Sequence, residues 1–278
     1  MGEEFFTLYR LTDWEFELIA QLVYETVGIH LPPEKRILVE SRLQHLLKQE
    51  GLVSFRDLYE RIVQDSSGVL LSEMINRITT NHTYFLRESA HYDFMVEHVF
   101  PKWKAESSRD IRIWSAGCSS GEEIYTVAIF IREHFVPFFA HEWGLLGTDI
   151  SLRVLEQAQQ GVYSLDRLEN LPKEWLTKYF DPVDETNYQI KPDIRDMVLF
   201  KRFNLMRETY PFKGKFDIIW CRNVLIYFDQ SHKQYILSHL VDVLKPGGYL
   251  FVGHSETLER ETYGLRFIQP AIYQKEAV

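Results

Sequence analysis

The sequence predicts an α/β domain built on a parallel sheet, preceded by an all-helical bundle and interrupted by a small β insertion. Three observations predict it. Residues 1–80 carry only helical periods, short apolar strands alternate with amphipathic helices from about residue 110, and that alternation lapses between Gly161 and Phe200. In the bundle, Phe16, Ile19, Ala20 and Val23 share one helical face, and Leu71, Met74, Ile75 and Ile78 share another. Gly28, Pro32-Pro33, Gly51 and Ser66-Ser67-Gly68 punctuate the helices. In the larger part, residues 111–114 form a strand and 122–135 a helix. Residues 145–149 end a second strand, with Ser151 as cap of the helix that follows. A strand over 216–220 precedes a helix marked by Leu237, Leu240, Val241 and Leu244, which Pro246-Gly247-Gly248 stops. Residues 249–253 form a further strand, and 266–274 close the sheet. Residues 188–190 and 198–200 are short strands within the insertion. The expected domains are therefore 1–80, helical; 81–91, a linker; and 92–278, the α/β domain, with the insertion at about 161–200.

The 278 residues are 45% hydrophobic and 26% charged, the composition of an ordinary globular chain, which excludes disorder, collagen and repeat arrays. A net charge of -9 opposes broad nucleic-acid binding. The first eighty residues are acidic on average too, so any basic docking face there must be local. Cys118 and Cys221 lie far apart, offering neither a disulfide framework nor a four-cysteine zinc site, which fits a reducing compartment. The first six residues lack the basic region of a signal peptide, and Phe6 stands where a myristoylation signal needs Ser or Thr. With no apolar run of membrane-spanning length, the expected location is the cytoplasm. His82, His91 and His98 recur without any His-Glu-x-x-His or Cys-x-x-Cys, so no metal is expected.

The densest local signal is Trp114-Ser115-Ala116-Gly117-Cys118-Ser119-Ser120-Gly121-Glu122-Glu123, a strand entering a small-residue loop and then a helix. Such a loop either brings backbone close to a ligand at a helix N-terminus or is simply a tight turn. The absence of a following Gly-Lys-Ser/Thr excludes a nucleotide P-loop, and Glu122 and Glu123 would repel a pyrophosphate, so a cation suits the loop better. Asp149, at the next strand end, stands where a carboxylate accepts hydrogen bonds from a ribose diol or caps a helix. Together the two positions point to S-adenosylmethionine, a sulfonium without phosphate. Phe203-Asn204-Leu205 and Cys221-Arg222-Asn223 fit the same layout, as readers of an adenine edge or as ordinary polar loops. No Asp/Asn-Pro-Pro-Tyr/Phe segment accompanies them, which disfavours a flipped-base substrate.

Upstream, Asn81-His82-Thr83-Tyr84-Phe85-Leu86-Arg87 packs aromatics, hydroxyls and a cation into a linker. With it the sequence resembles the CheR family of chemotaxis receptor methyltransferases. The resemblance rests on Asn-x-Thr-x-Phe-x-Arg, Trp-Ser-Ala-x-x-Ser-x-Gly-Glu-Glu, Gly-Thr-Asp-Ile, Cys-Arg-Asn-Val-x-Ile-Tyr-Phe, Leu-Lys-Pro-Gly-Gly and Gly-His-Ser-Glu, spread in this order over residues 81–256. Leu86 and Ile124 depart from it, replacing a Phe and a Pro with other apolar residues. The resemblance implies a Rossmann-like class I S-adenosylmethionine-dependent methyltransferase sheet. It implies methyl transfer to receptor glutamate side chains, giving methyl esters for sensory adaptation and S-adenosylhomocysteine as product. By the same resemblance Asn81, Thr83 and Arg87 reach the cofactor from the linker, Ala116 and Glu123 meet its methionine portion, and Asp149 holds the ribose. Asn204 and Leu205 bind adenine; Cys221, Arg222 and Asn223 line the pocket; Arg87 and Tyr227 face the methyl group and substrate as the catalytic pair.

Family helical domains dock on receptor methylation helices, and Lys35-Arg36, Arg42 and Lys48 form the candidate basic face here. Some relatives carry a glycine-rich loop in the inserted sheet that binds a receptor's tail peptide. Asp184-Glu185-Thr186-Asn187 has no glycine, so tail-independent recognition is expected. Two other readings compete: a small-molecule carboxyl or hydroxyl methyltransferase with a helical lid, and a non-catalytic cofactor-binding sensor or scaffold. The linker motif, with Arg87 and Tyr227 both present, favours the receptor enzyme.

Overall fold

A computed structural model describes residues 9–79, 81–105, 110–135, 142–258 and 262–277, which leaves the first six residues outside it. The chain divides into two compact units: residues 1–80 with Tyr227–Asp229, and the remainder from Asn81.

The first unit is helical: α1 (Asp13–Val27), α2 (Arg36–Gln49), α3 (Phe55–Gln64) and α4 (Val69–Ile78). A capping box opens α1, with the Thr12 hydroxyl accepting from Glu15 N while the Glu15 carboxylate accepts from Thr12 N at 3.0 Å. Gly28, in the left-handed region, closes it. The predicted stripes face inward: Phe16, Ile19, Val23, Met74, Ile75 and Ile78 are buried, as are Leu43, Leu47 and Leu58, with Ala20 and Leu71 at the margin. Tyr227 belongs to this unit, where its carbonyl accepts from His30 N at 2.9 Å. Of the expected basic face, Lys35 and Lys48 are exposed, while Arg36 and Arg42 are partly buried: Arg36 pairs with exposed Asp13 at the surface and donates to the Leu11 carbonyl, and Arg42 donates to the Ile78 carbonyl.

In the second unit, α5 (Ala90–Phe94) runs through a π-helical turn, Met95–Val99, into α6 (Phe100–Lys104). There follow β1 (Asp110–Ala116), α7 (Glu122–His134), β2 (Glu142–Asp149), α8 (Leu152–Gln160), β3 (Val162–Ser164), α9 (Leu165–Leu168), α10 (Lys173–Tyr179), β4 (Phe180–Pro182) and β5 (Asn187–Ile190). Then come α11 (Pro192–Arg195), β6 (Val198–Arg202), β7 (Phe216–Cys221), α12 (Gln230–Asp242), β8 (Leu244–Val252), β9 (Leu265–Gln269) and β10 (Ile272–Lys275). The main sheet has seven strands in the order β6-β2-β1-β7-β8-β10-β9. The first five are mutually parallel, and β10 enters antiparallel between β8 and β9. Strand order therefore reverses between β1 and β7, and the crevice at such a reversal is where open α/β sheets bind ligands. Every residue of β7 is buried, as a central parallel strand requires. Trp220 stacks between Tyr92 and Phe251, with ring centroids at 4.9 and 4.5 Å, tying α5 to the sheet.

Three local expectations change. Val198–Arg202 is not part of the insertion: it pairs with β2 as an edge of the main sheet, while the inserted sheet is β3-β5-β4. Pro246-Gly247-Gly248 lies inside β8, beside a register shift in its pairing with β7, and the preceding helix already ends at Asp242. The last strand is a hairpin, β9 and β10, turning at Pro270-Ala271. Among the described residues no helix is long and apolar enough to cross a membrane.

Candidate cofactor site at the carboxyl rim of the sheet

Because β1, β2, β6, β7 and β8 are parallel, the motifs that follow them share one edge of the sheet. The loop after β1 is held close by backbone. Gly117 N and Cys118 N both donate to the Thr148 carbonyl, at 2.7 and 2.8 Å, Ser119 N donates to Asp149 Oδ2 at 2.9 Å, and Gly121 N donates to the Cys118 carbonyl. Gly117 has φ 87°, and a Cβ there would lie 2.4 Å from Val224 Cγ2, so only glycine serves. These inward bonds commit four of the loop's amides, those of Gly117, Cys118, Ser119 and Gly121, that a phosphate cradle on this loop would turn outward.

The charges around the loop are carboxylates. Asp149 is buried, and its two oxygens accept from Ser119 N and Ser151 N, leaving each a further lone pair for a hydroxyl. Burial raises its pKa against the pull of the Ser151, Ser119 and Ile150 amides. Glu123, 14% exposed, accepts from Ser115 Oγ at 2.7 Å and pairs with Arg222 at 3.2 Å. Burial raises its pKa, and Arg222 opposes that rise. Arg222 is itself enclosed, lying over the Tyr92 and Trp220 rings and pairing with Glu88 at 3.1 Å as well. Its guanidinium thus anchors both carboxylates. Glu122 departs from expectation: it is fully buried and turns away from Glu123, to Arg167 and the Ser120 hydroxyl. Only Glu123 of the pair faces the Ser115 and Arg222 side.

The linker is tied to this rim, since Ser119 Oγ donates to the Asn81 carbonyl at 3.1 Å and Arg222 donates to the Arg87 carbonyl. Arg87 is half-buried; its guanidinium donates to the His82 carbonyl at 2.8 Å, lies over the Tyr84 ring, and forms no ion pair among the described residues. Thr83 is half-buried, and Ala116 is buried at the end of β1. Asn204 follows β6 and turns its Oδ1 onto Met206 N at 3.0 Å, with Leu205 buried beside it. Cys221 ends β7, fully buried, and burial pushes its thiol and that of Cys118 up, which disfavours the thiolate of both. Asn223 follows with φ 57°. Tyr227 lies with the helical unit, and the other predicted residues all belong to the second unit.

Glu88 and Arg167 are missing from the sequence expectations, and Ser115 enters them only within the Trp114–Glu123 motif, with no role of its own. Glu88 directly follows Arg87 and was open to the same motif logic; Arg167 carried no local signal. Glu88, His91 and His254 bring potential metal-ligating atoms within 4.8 Å of one another, yet Arg222 occupies the Glu88 carboxylate and would repel a divalent ion. His91 is neutral, its pKa lowered to about 3 by burial and by Arg222.

A rim with committed amides, a buried carboxylate able to accept from a diol, and a second carboxylate at the crevice suits a cationic nucleoside rather than a diphosphate. Numbered within the sheet, the strands run 3-2-1-4-5-7-6, and with this rim they define a Rossmann-like class I S-adenosylmethionine-dependent methyltransferase. Comparison with known proteins agrees. Residues 81–273 match the family described as CheR methyltransferase, SAM binding domain, and residues 14–79 match the CheR methyltransferase all-alpha domain. The chain is 41% identical to a chemotaxis protein methyltransferase of Borreliella burgdorferi, over 96% of this chain and 95% of that one. It is 36% identical to a chemotaxis protein methyltransferase of Escherichia coli, covering 88% and 85% of the two chains. A third, chemotaxis protein methyltransferase 1 of Pseudomonas aeruginosa, is 38% identical over 88% of this chain and 90% of its own. The chain belongs to the CheR methyltransferase family, and S-adenosylmethionine is its cofactor.

Proposed function

We propose that the protein methylates glutamate side chains of chemotaxis receptors, forming the methyl esters used in sensory adaptation. The observation that carries the reading is Arg87: a half-buried guanidinium that forms no ion pair among the described residues, in a linker fastened to the rim through Ser119 and Arg222. When bound, the cofactor supplies an electrophilic methyl group on a sulfonium. An incoming glutamate is already ionised at neutral pH, so no general base is needed, and positioning carries the rate. Arg87 would orient that carboxylate by a charge-assisted contact, and Tyr227 keeps the directing role that the family resemblance implies. Asp149, Asn204, Leu205, Ala116 and Asn223 are proposed to hold the donor, with Asn81, Thr83 and Cys221 lining its surroundings. Glu123 would face the donor's methionine end, and Arg222 would act mainly by fixing Glu123.

Incubating the protein with labelled cofactor and a receptor cytoplasmic fragment tests this. Label should transfer to the fragment and leave as methanol under mild base; stable label, or none, overturns the reading. Arg87→Ala should abolish transfer with unchanged circular dichroism, and full activity in that variant refutes the assignment.

Recognition is proposed to be independent of a receptor tail peptide. The turn between β4 and β5 closes on itself: the Asp184 carboxylate accepts from Thr186 N, Asn187 N and the Asn187 side chain, which holds its pKa at about 2. Calorimetry with a receptor C-terminal peptide should show no tight binding, and a tight complex would overturn the proposal.

A further inference from the structure

Gly253-His254-Ser255-Glu256 follows β8, and nothing above gives it work. His254 is exposed, but Glu256 is buried. Its Oε2 accepts from Gly253 N at 2.6 Å and Asn223 N at 2.7 Å, and its Oε1 accepts from Ile226 N at 3.2 Å. No ion pair forms at Glu256 among the described residues, so three backbone amides meet its charge. The approach is close: a Cβ on Gly253 would lie 2.7 Å from Glu256 Oε2 and 2.6 Å from Asn223 Nδ2. Two of the three donors belong to the loop after β7, one of them the amide of Asn223, whose φ of 57° an ordinary L residue resists.

We propose that Glu256 is a positioning residue for the cofactor site: its carboxylate bridges the ends of β7 and β8 and fixes the left-handed turn from which Asn223 meets the donor. The inference rests on the reading that Asn223 lines the cofactor site. A carboxylate is required chemically, because a glutamine would turn an amide donor toward one of the three N–H groups and lose at least one bond.

Titration calorimetry with S-adenosylhomocysteine on the wild type, Glu256→Gln, Asn223→Ala and the double variant tests it. Glu256→Gln should weaken binding by about tenfold, the scale of one lost hydrogen bond in a buried setting. The double variant should bind no more weakly than the weaker single variant, since both losses pass through one residue. Wild-type affinity in Glu256→Gln, or losses that simply add, would overturn the inference. Should circular dichroism show that the Gln variant does not fold, Glu256→Asp, which keeps the charge and shortens the reach, carries the same cycle. A wild type without affinity for S-adenosylhomocysteine would bring down the cofactor reading and this inference together; normal wild-type binding with an indifferent Glu256 variant removes the inference alone.

Discussion

Two adjacent carboxylates at the start of α7 face two different regions of the second unit. Glu122 is sealed against the insertion, paired with Arg167 just after β3; Glu123 is sealed against the sheet and linker, paired with Arg222 after β7. One residue of helix turns a side chain by about 100°, enough to separate neighbours in sequence into different jobs. Glu123 lies on the side of the candidate cofactor site, with Ser115, Arg222 and Glu88 completing its network. Glu122 lies on the side of the insertion. There Tyr163 donates to the Ser120 carbonyl at 2.7 Å and Arg167 to the Ser120 hydroxyl at 2.9 Å, so the insertion grips the loop after β1 from its far side. The lesson is that a charge beside a ligand loop need not address the ligand.

The sheet side should be the more costly to break. Arg222→Met leaves both Glu88 and Glu123 without their buried cation, and denaturant unfolding should show a loss of about 3–5 kcal/mol. A loss no larger than that of Arg167→Met would remove the distinction. Arg167 is about one-third exposed, so Arg167→Met should cost less, about 2 kcal/mol at pH 7. Its cost should also depend on pH, with a definite sign. Burial raises the Glu122 pKa in the folded state, so the stability tied to its neutral form is present at acid pH and is lost as pH climbs past the ordinary carboxylate value. Without Arg167 that loss deepens. Unfolding of wild type and variant should therefore differ less at pH 5 than at pH 7, and a difference that is flat or grows on acidification would show that Glu122 is not what Arg167 serves.

Much of the rim was legible because its residues sit at strand ends, where composition changes within a few positions. Gly117, Asp149 and Asn223 each stand where an apolar run stops, and parallel strands then gather them without further information. What was illegible depends on partners distant in sequence. Val198–Arg202 reads as a short strand wherever it pairs, and only its register against Leu145–Asp149 decides that it extends the main sheet. Pro246-Gly247-Gly248 reads as a stop, yet the register shift against β7 lets β8 pass through it. The Glu122–Arg167 pair spans forty-five positions, and no periodicity announces it. Arg36 and Arg42 show the same limit on the helical unit: a basic pattern does not say which cations satisfy their own bundle's carbonyls.

The Thr148 carbonyl, by receiving two successive amides, has a consequence for selectivity inside a cell. Adenine nucleotides are abundant there and share their adenosine half with the methyl donor. With Gly117 N and Cys118 N turned inward, a di- or triphosphate tail at this loop would lack two donors, so ATP should displace S-adenosylhomocysteine only weakly in competition calorimetry.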